Sequence, residues 1–181
     1  MNTLPAILVV ALAAFPCLAQ EKPAAQARPI CAMHLQKTPS AEEHHQGVVQ
    51  RGDEVMGFSH EKTTHHFRLD SHGGVIEAEA NAAQDATSRE QIRSHFQHIV
   101  TMFAAGNFSA PMLIHAQNPP GTEAMKRLRE VIQYKLETTG KGARIRITTK
   151  NPEALRAVHE FLRFQTSDHQ TGDSLDLAKE P

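Results

Sequence analysis

The chain has 181 residues, with 19 Lys and Arg against 20 Asp and Glu, 12 His, and a formal net charge of −1 with histidine neutral. Interspersed charges of both signs exclude the basic surplus that phosphate backbones require, so no nucleic-acid partner is expected, and the balance gives no electrostatic drive toward a membrane surface. The histidine load is heavy for this length, and neutral imidazole is the commonest protein ligand of transition metals.

The first segment, Leu4 to Leu18, is almost wholly apolar and is followed at once by polar sequence. Its length suits the apolar core of a secretory signal and is too short to span a bilayer comfortably. Cys17-Leu18-Ala19 resembles a cleavage site, so residues 1–19 read as a signal peptide. This predicts a periplasmic or secreted chain starting at Gln20, with no stable membrane insertion once the signal is cleaved. Cleavage removes Cys17 and leaves Cys31 as the remaining thiol, so no internal disulfide is expected. Cys31-Ala-Met33-His34 carries three soft or borderline ligand types, although a cysteine in a polar tail is the plainer reading. Residues 20–54 are rich in Ala, Gln, Pro, Glu, Lys and His without sustained apolar periodicity, and read as a flexible linker with a short helix near Ala41–Gln50.

Residues 55–165 read as the packed domain, long enough for one core. They contain a pattern-level repeat. The first copy runs from His66 through Gly73-Gly74 to Ala80 and leads into a helix over Ser88–Ala105. The second runs from Gln133 through Gly140-Lys141-Gly142 to Thr148 and leads into a helix from Pro152 to about Gln165. Alternation at Phe67/Leu69, Tyr134/Leu136 and Ala143/Ile145/Ile147 marks strands, and the glycines are expected to supply positive-φ hairpin turns. Ser88 or Thr87 is the expected cap of the first helix, Gly106 its stop, and Asn151-Pro152-Glu153 the start of the second. Between the copies lie a short apolar segment, Pro111–His115, a turn at Asn118–Gly121 and a short helix over Thr122–Arg129. The expected fold is α+β: two β-β-α halves forming a four-stranded antiparallel sheet with the helices on one face. Residues 166–181 read as a flexible tail.

Candidate chemistry centres on histidine. Along the first long helix, Ile92, Phe96, Ile99 and Phe103 share a core-facing stripe, and His95, His98 and Met102 form an adjoining one. An i, i+3 pair of imidazoles can share one ion. His65 and His66 are adjacent on a strand and point to opposite faces. His65 shares parity with Phe67 and Leu69, which places it on the helix side. The expected metal site therefore draws on His60, His65, His95, His98 and His115, with Met56 in reach. Imidazoles with a thioether suit copper, and imidazoles alone suit zinc equally well. There is no H-E-x-x-H, G-x-S-x-G, P-loop or C-x-x-C, so no catalytic residue is assigned.

The segments Met56-Gly-Phe-Ser-His-Glu-Lys-Thr-Thr-His-His-Phe-Arg-Leu69 and Met102-Phe-Ala-Ala-Gly-Asn-Phe-Ser-Ala-Pro-Met112 resemble an uncharacterised family of small exported bacterial proteins, across residues 55–173. Some members carry an aspartate carbamoyltransferase label. This chain is too short for that two-domain fold and lacks its Ser-Thr-Arg-Thr-Arg phosphate loop, so the resemblance implies neither a reaction nor catalytic residues. The expected function is an exported domain that binds copper or zinc through clustered histidines. The alternatives are a metal-free interaction or pH-responsive domain, and a metal-dependent enzyme with an open coordination position.

Overall fold

Thr63–Asp70 (β1), which mixes buried and exposed positions, and Gly73–Ala80 (β2), buried along most of its length, pair as an antiparallel hairpin in the computed structural model, which describes residues 39–178. The apolar stretch at the N-terminus, Cys17 and Cys31 lie outside the described residues. A long helix, α2 (Ala86–Ala104), follows the hairpin, and then come α3 (Ser109–His115), α4 (Thr122–Arg127) and a 3-10 turn at Arg129–Val131. The second half repeats the first: β3 (Ile132–Thr138), β4 (Gly142–Thr149) and α5 (Pro152–His169). The four strands form one antiparallel sheet in the order β1-β2-β4-β3, an α+β architecture of two β-β-α halves.

The core lies on one face of the sheet. Phe67, Leu69, Ile76, Ala78, Ile145 and Ile147 point from the strands toward Ile92, Phe96, Ile99 and Phe103 of α2 and Val158, Phe161 and Leu162 of α5. The opposite face is polar, and one cross-strand row reads His66, Glu77, Arg144, Glu137. There Arg144 and Lys135 hold the Glu137 carboxyl down to about 2. Such opposite-charge neighbours suit a face left to water.

The caps follow local chemistry, with one change from expectation. Asp85, rather than Ser88 or Thr87, caps α2; its carboxylate accepts from the Ser88 amide at 2.9 Å and from the Ser88 hydroxyl at 2.7 Å. Asn151 caps α5 as expected, accepting from the Glu153 and Ala154 amides at 2.9 and 3.0 Å. Gly106, at φ 73°, follows the end of α2.

The glycines act differently from expectation. Asp70 pairs with Gly73, so the two-residue turn is Ser71-His72 and both glycines already belong to β2. Their role is close approach. A Cβ on Gly74 would stand 2.3 Å from the Arg68 carbonyl oxygen and 2.4 Å from Leu162 Cδ1, and one on Gly142 would stand 2.2 Å from the Ala78 oxygen. We expect Gly74→Ala to cost about 1–3 kcal/mol, the usual range for overpacking, measured as a fall in the urea midpoint at unchanged slope.

Two further segments belong to the packed domain. Residues 41–56, read from sequence as linker with a shorter helix, form α1 (Ala41–Met56), closed by a Ser40/Glu43 capping box and by Gly57 at φ 74°. It packs against α3 and α5, and Arg51 Nε donates to the Ile114 carbonyl at 2.7 Å. At the other end, α5 runs on to His169 and the tail lies along β1. Asp173 accepts from the Phe67 amide at 2.9 Å and pairs with His66 at 3.0 Å; further on, the Ala178 amide donates to the Leu69 carbonyl at 2.8 Å. These contacts tie down the segment that its polar composition marks as free.

Candidate functional site: a histidine-lined hollow

Strand parity, helix periodicity and the end of α5 converge on one place. β1 turns His65 to the same side as the buried Phe67, while the next residue, His66, faces the other way toward Asp173. From α2, His95 stands beside the Phe96/Ile99/Phe103 stripe, and α5 brings Phe161, Gln165 and His169. With Met56 from the end of α1, these groups line a hollow of about 60 Å³ between the sheet and the helices. A wider cleft of about 300 Å³ adjoins it, bordered by His45, Val48, Val49, Gly52, His60, Thr63 and Thr64. Met56, His65 and His169 line both spaces and so stand between them.

The imidazoles are packed as aromatic rings. His65 stacks between Phe58 at 5.6 Å and His169 at 6.0 Å, centroid to centroid, with interplanar angles of 17° and 15°. Phe67 stacks on His169 at 5.5 Å, and Phe58 meets the edge of His95 at 5.7 Å. Offset-stacked and edge-to-face arrangements at these separations are the ones aromatic pairs prefer. Burial lowers the His65 imidazole to about 4, with repulsion from His95 and His66 adding to it and Asp53 opposing it. Burial, then His98, lowers His95 to about 4. His169 is pushed well below the ordinary range by burial first and then by His65, His115 and His45. The rings facing the hollow are therefore neutral at pH 7.

Two polar atoms at this site are sealed from solvent and have no hydrogen-bond partner: His65 Nε2 and Gln165 Nε2. Buried polar groups are ordinarily paired, so two orphans beside one hollow mark a place that can receive a ligand or water. The lining contains no Asp, Glu, Lys or Arg.

Behind Gln165 lies a hydrogen-bonded hub centred on Asp168. Its carboxylate meets His115 Nδ1 at 2.5 Å and His44 Nε2 at 2.9 Å, and His45 Nδ1 reaches its backbone carbonyl at 3.4 Å. The other nitrogen of His115 meets Gln165 Oε1 at 3.1 Å. The hub joins α1, α3 and α5 through groups on three separate elements.

The structure divides the five histidines expected at a metal site. His65 and His95 line the same hollow. His60 lines the outer cleft, with its Nδ1 held by Asp53 at 2.9 Å. His98 is exposed on α2, and His115 has both ring nitrogens engaged in the Asp168 hub. Among the described residues, no group of three or more His, Cys, Asp or Glu side chains is placed to hold a metal ion. The residues that sequence reasoning left out are His169, Gln165, Asp168 and His44. A signal for two of them was present: Val158, Leu162, Gln165 and His169 fall at i, i+4, i+7 and i+11, one continuous stripe of α5.

No family model, no curated protein and no solved structure matches this chain. Among the described residues, no helix is long and apolar enough to cross a membrane.

Proposed function

We propose that this domain binds a small molecule in the hollow between β1, α2 and α5. The observation that carries the reading is the pair of unpartnered, sealed polar atoms, His65 Nε2 and Gln165 Nε2, set in an apolar, charge-free lining. A concave apolar site with a few polar groups that orient the guest is the usual form of a ligand pocket. The reading is binding rather than turnover. Among the described residues, the rings of His65, His95 and His169 hydrogen-bond to no carboxylate that would set one nitrogen as a base.

A transition metal, copper or zinc, is the second reading. Three neutral imidazoles and the Met56 thioether around one hollow favour it, since metals bind the unprotonated ring. It ranks below the first because, among the described residues, no three His, Cys, Asp or Glu side chains are placed to hold an ion, and the near-parallel stacking of His65 on His169 keeps their in-plane lone pairs in separate planes. Both readings propose a chain exported by its apolar Leu4–Leu18 stretch.

The test is a nuclear magnetic resonance titration of the full chain with xenon and with a panel of compounds of four to six heavy atoms, beside separate titrations with Cu⁺ and Zn²⁺. Occupancy by the organic probes should move the resonances of His65, Gln165 and Phe103 together. Saturable metal binding that is lost in His65→Ala, with no response to any organic probe, would replace the first reading by the second. No response of the hollow to any of these would overturn both.

A further inference from the structure

The two rims of the sheet differ. Residues after α5 lie along β1, whereas β3, at the other rim, has no neighbour on its outer side among the described residues. We propose that this rim is a docking surface for a second copy of the chain, which adds its own β3 antiparallel about a two-fold axis at Leu136.

The ladder decides which backbone groups face outward. The Thr139 amide donates to the Gly142 carbonyl at 3.0 Å, and these two residues continue the β3/β4 register. Antiparallel ladders alternate bonded and non-bonded pairs. Gln133, Lys135 and Glu137 therefore bond to β4, while Tyr134, Leu136 and Thr138 turn their N–H and C=O groups outward. Such a row accepts an antiparallel strand, and two identical rows accept each other about a two-fold axis. The side chains of Tyr134 and Leu136 pack against the core, so the strand is held extended before it meets a partner.

Charge complementarity selects the partner and the register. With the axis at Leu136, Lys135 of each copy stands opposite Glu137 of the other, in the non-bonded pairs where side chains approach most closely. Leu136 then meets Leu136, and Tyr134 meets Thr138. A slip of two residues sets Lys135 against Lys135 or Glu137 against Glu137, and like charges directly opposite are destabilising. Within one chain, Glu137 is shared by Arg144 at 2.8 Å, Lys135 at 3.2 Å and Arg146 at 3.6 Å. Lys135, 74 % exposed, is the cation that turns to the second copy, and each carboxylate keeps as many cations as before. The charges thus set the register, and the backbone bonds supply the affinity. Pairing over so few residues is narrow, which places it among weak, transient contacts. Each copy has one open rim, so the pairing closes at two.

The test is sedimentation velocity of the full chain from about 0.02 to about 1 mM, the span over which a weak dimer forms. Amide spectra are recorded at the same concentrations, with an isotope-filtered experiment on a mixture of labelled and unlabelled chains. A monomer–dimer equilibrium should appear, and the amides of Tyr134, Leu136 and Thr138 should shift along the same isotherm. The filtered spectrum should show the α-proton of Lys135 in one copy against that of Glu137 in the other. Thr138→Pro removes an outward N–H at an exposed position, and Lys135→Glu sets like charges opposite each other. Each should weaken association by about tenfold or more. A chain that stays monomeric at the highest concentration, association that leaves the β3 amides unmoved, or contact in another register would overturn the pairing. So would a monomer whose β3 amides respond to an added extended Val/Glu peptide, which would make the partner a foreign strand. The shifts and the filtered contact are read on the unaltered chain, so the outcome stands even if a variant does not fold.

Discussion

Acidification from pH 7 to pH 4 is expected to remove about 3 kcal/mol of stability through His65 alone, by linkage from an imidazole held at about 4 in the fold against an ordinary value of 6.5. The sign follows from the direction of the shift. The folded imidazole titrates below the unfolded one, so the unfolded chain binds the proton first as pH falls. The stabilisation is fully present above pH 6.5 and is lost progressively down to about pH 4. His95, also at about 4, and His169 titrate in the same direction and steepen the loss. The titratable groups facing His65 are His95, His66, Asp53 and the stacked His169, of which only Asp53 opposes the shift. Carboxylates with lowered values, Glu43, Asp85, Glu137 and Asp173, act mainly at lower pH, because their ordinary values are 4.5 for Glu and 3.8 for Asp. The window from pH 6.5 to 4.5 therefore isolates the histidines. Urea midpoints across that window should fall steeply for the unaltered chain and less steeply for His65→Phe, which keeps a stacked ring and removes the titrating group. A flat profile in the unaltered chain would show that the rings are not held neutral by burial.

Asp168→Ala is expected to destabilise the fold by about 3 kcal/mol, the scale for removing one partner of a buried charged hydrogen bond. The His115 side chain is fully buried and would lose the carboxylate that meets it at 2.5 Å. His44, a third exposed, would lose its anchor at 2.9 Å, and α1 would then rely on contacts such as that of Arg51 with Ile114. Asp168→Asn retains an acceptor oxygen and should cost less than the alanine variant. Two measurements decide the matter: the urea midpoint gives the size of the loss, and amide hydrogen exchange gives its place. Early exchange across α1, with β2 and β4 still protected, is the expected pattern. Uniform exchange through the sheet would show that the hub does not serve α1 in particular.

Much of this architecture was legible in the amino-acid order. Alternation at Phe67/Leu69 and Ala143/Ile145/Ile147 marks the hairpins, and the Ile92/Phe96/Ile99/Phe103 stripe marks the buried face of α2. Parity also separates His65 from His66 and puts the first on the helix side, where it lines the hollow. Three things were missed, each for a physical reason. α1 buries only Val48 and Gly52, so its own sequence shows no apolar stripe, and tertiary contacts place it. Gln165 and His169 are polar residues on an apolar stripe, and such residues read as the end of a helix rather than as the floor of a site. The roles of Gly74 and Gly142 depend on neighbouring strands and on Leu162, which no local window contains.

The stretch that follows α5 has a consequence beyond order. Leu177 bridges Leu69 in parallel, and together with Asp173 and Ala178 it occupies hydrogen-bonding positions along the outer side of β1. An uncovered outer strand is a template on which other chains can add, one strand at a time. The chain lays its own terminal residues over that template, so β1 is guarded against recruitment into aggregates by a few residues of its own sequence. The far rim of the sheet, β3, has no such cover among the described residues and relies on the charges of Lys135 and Glu137 instead.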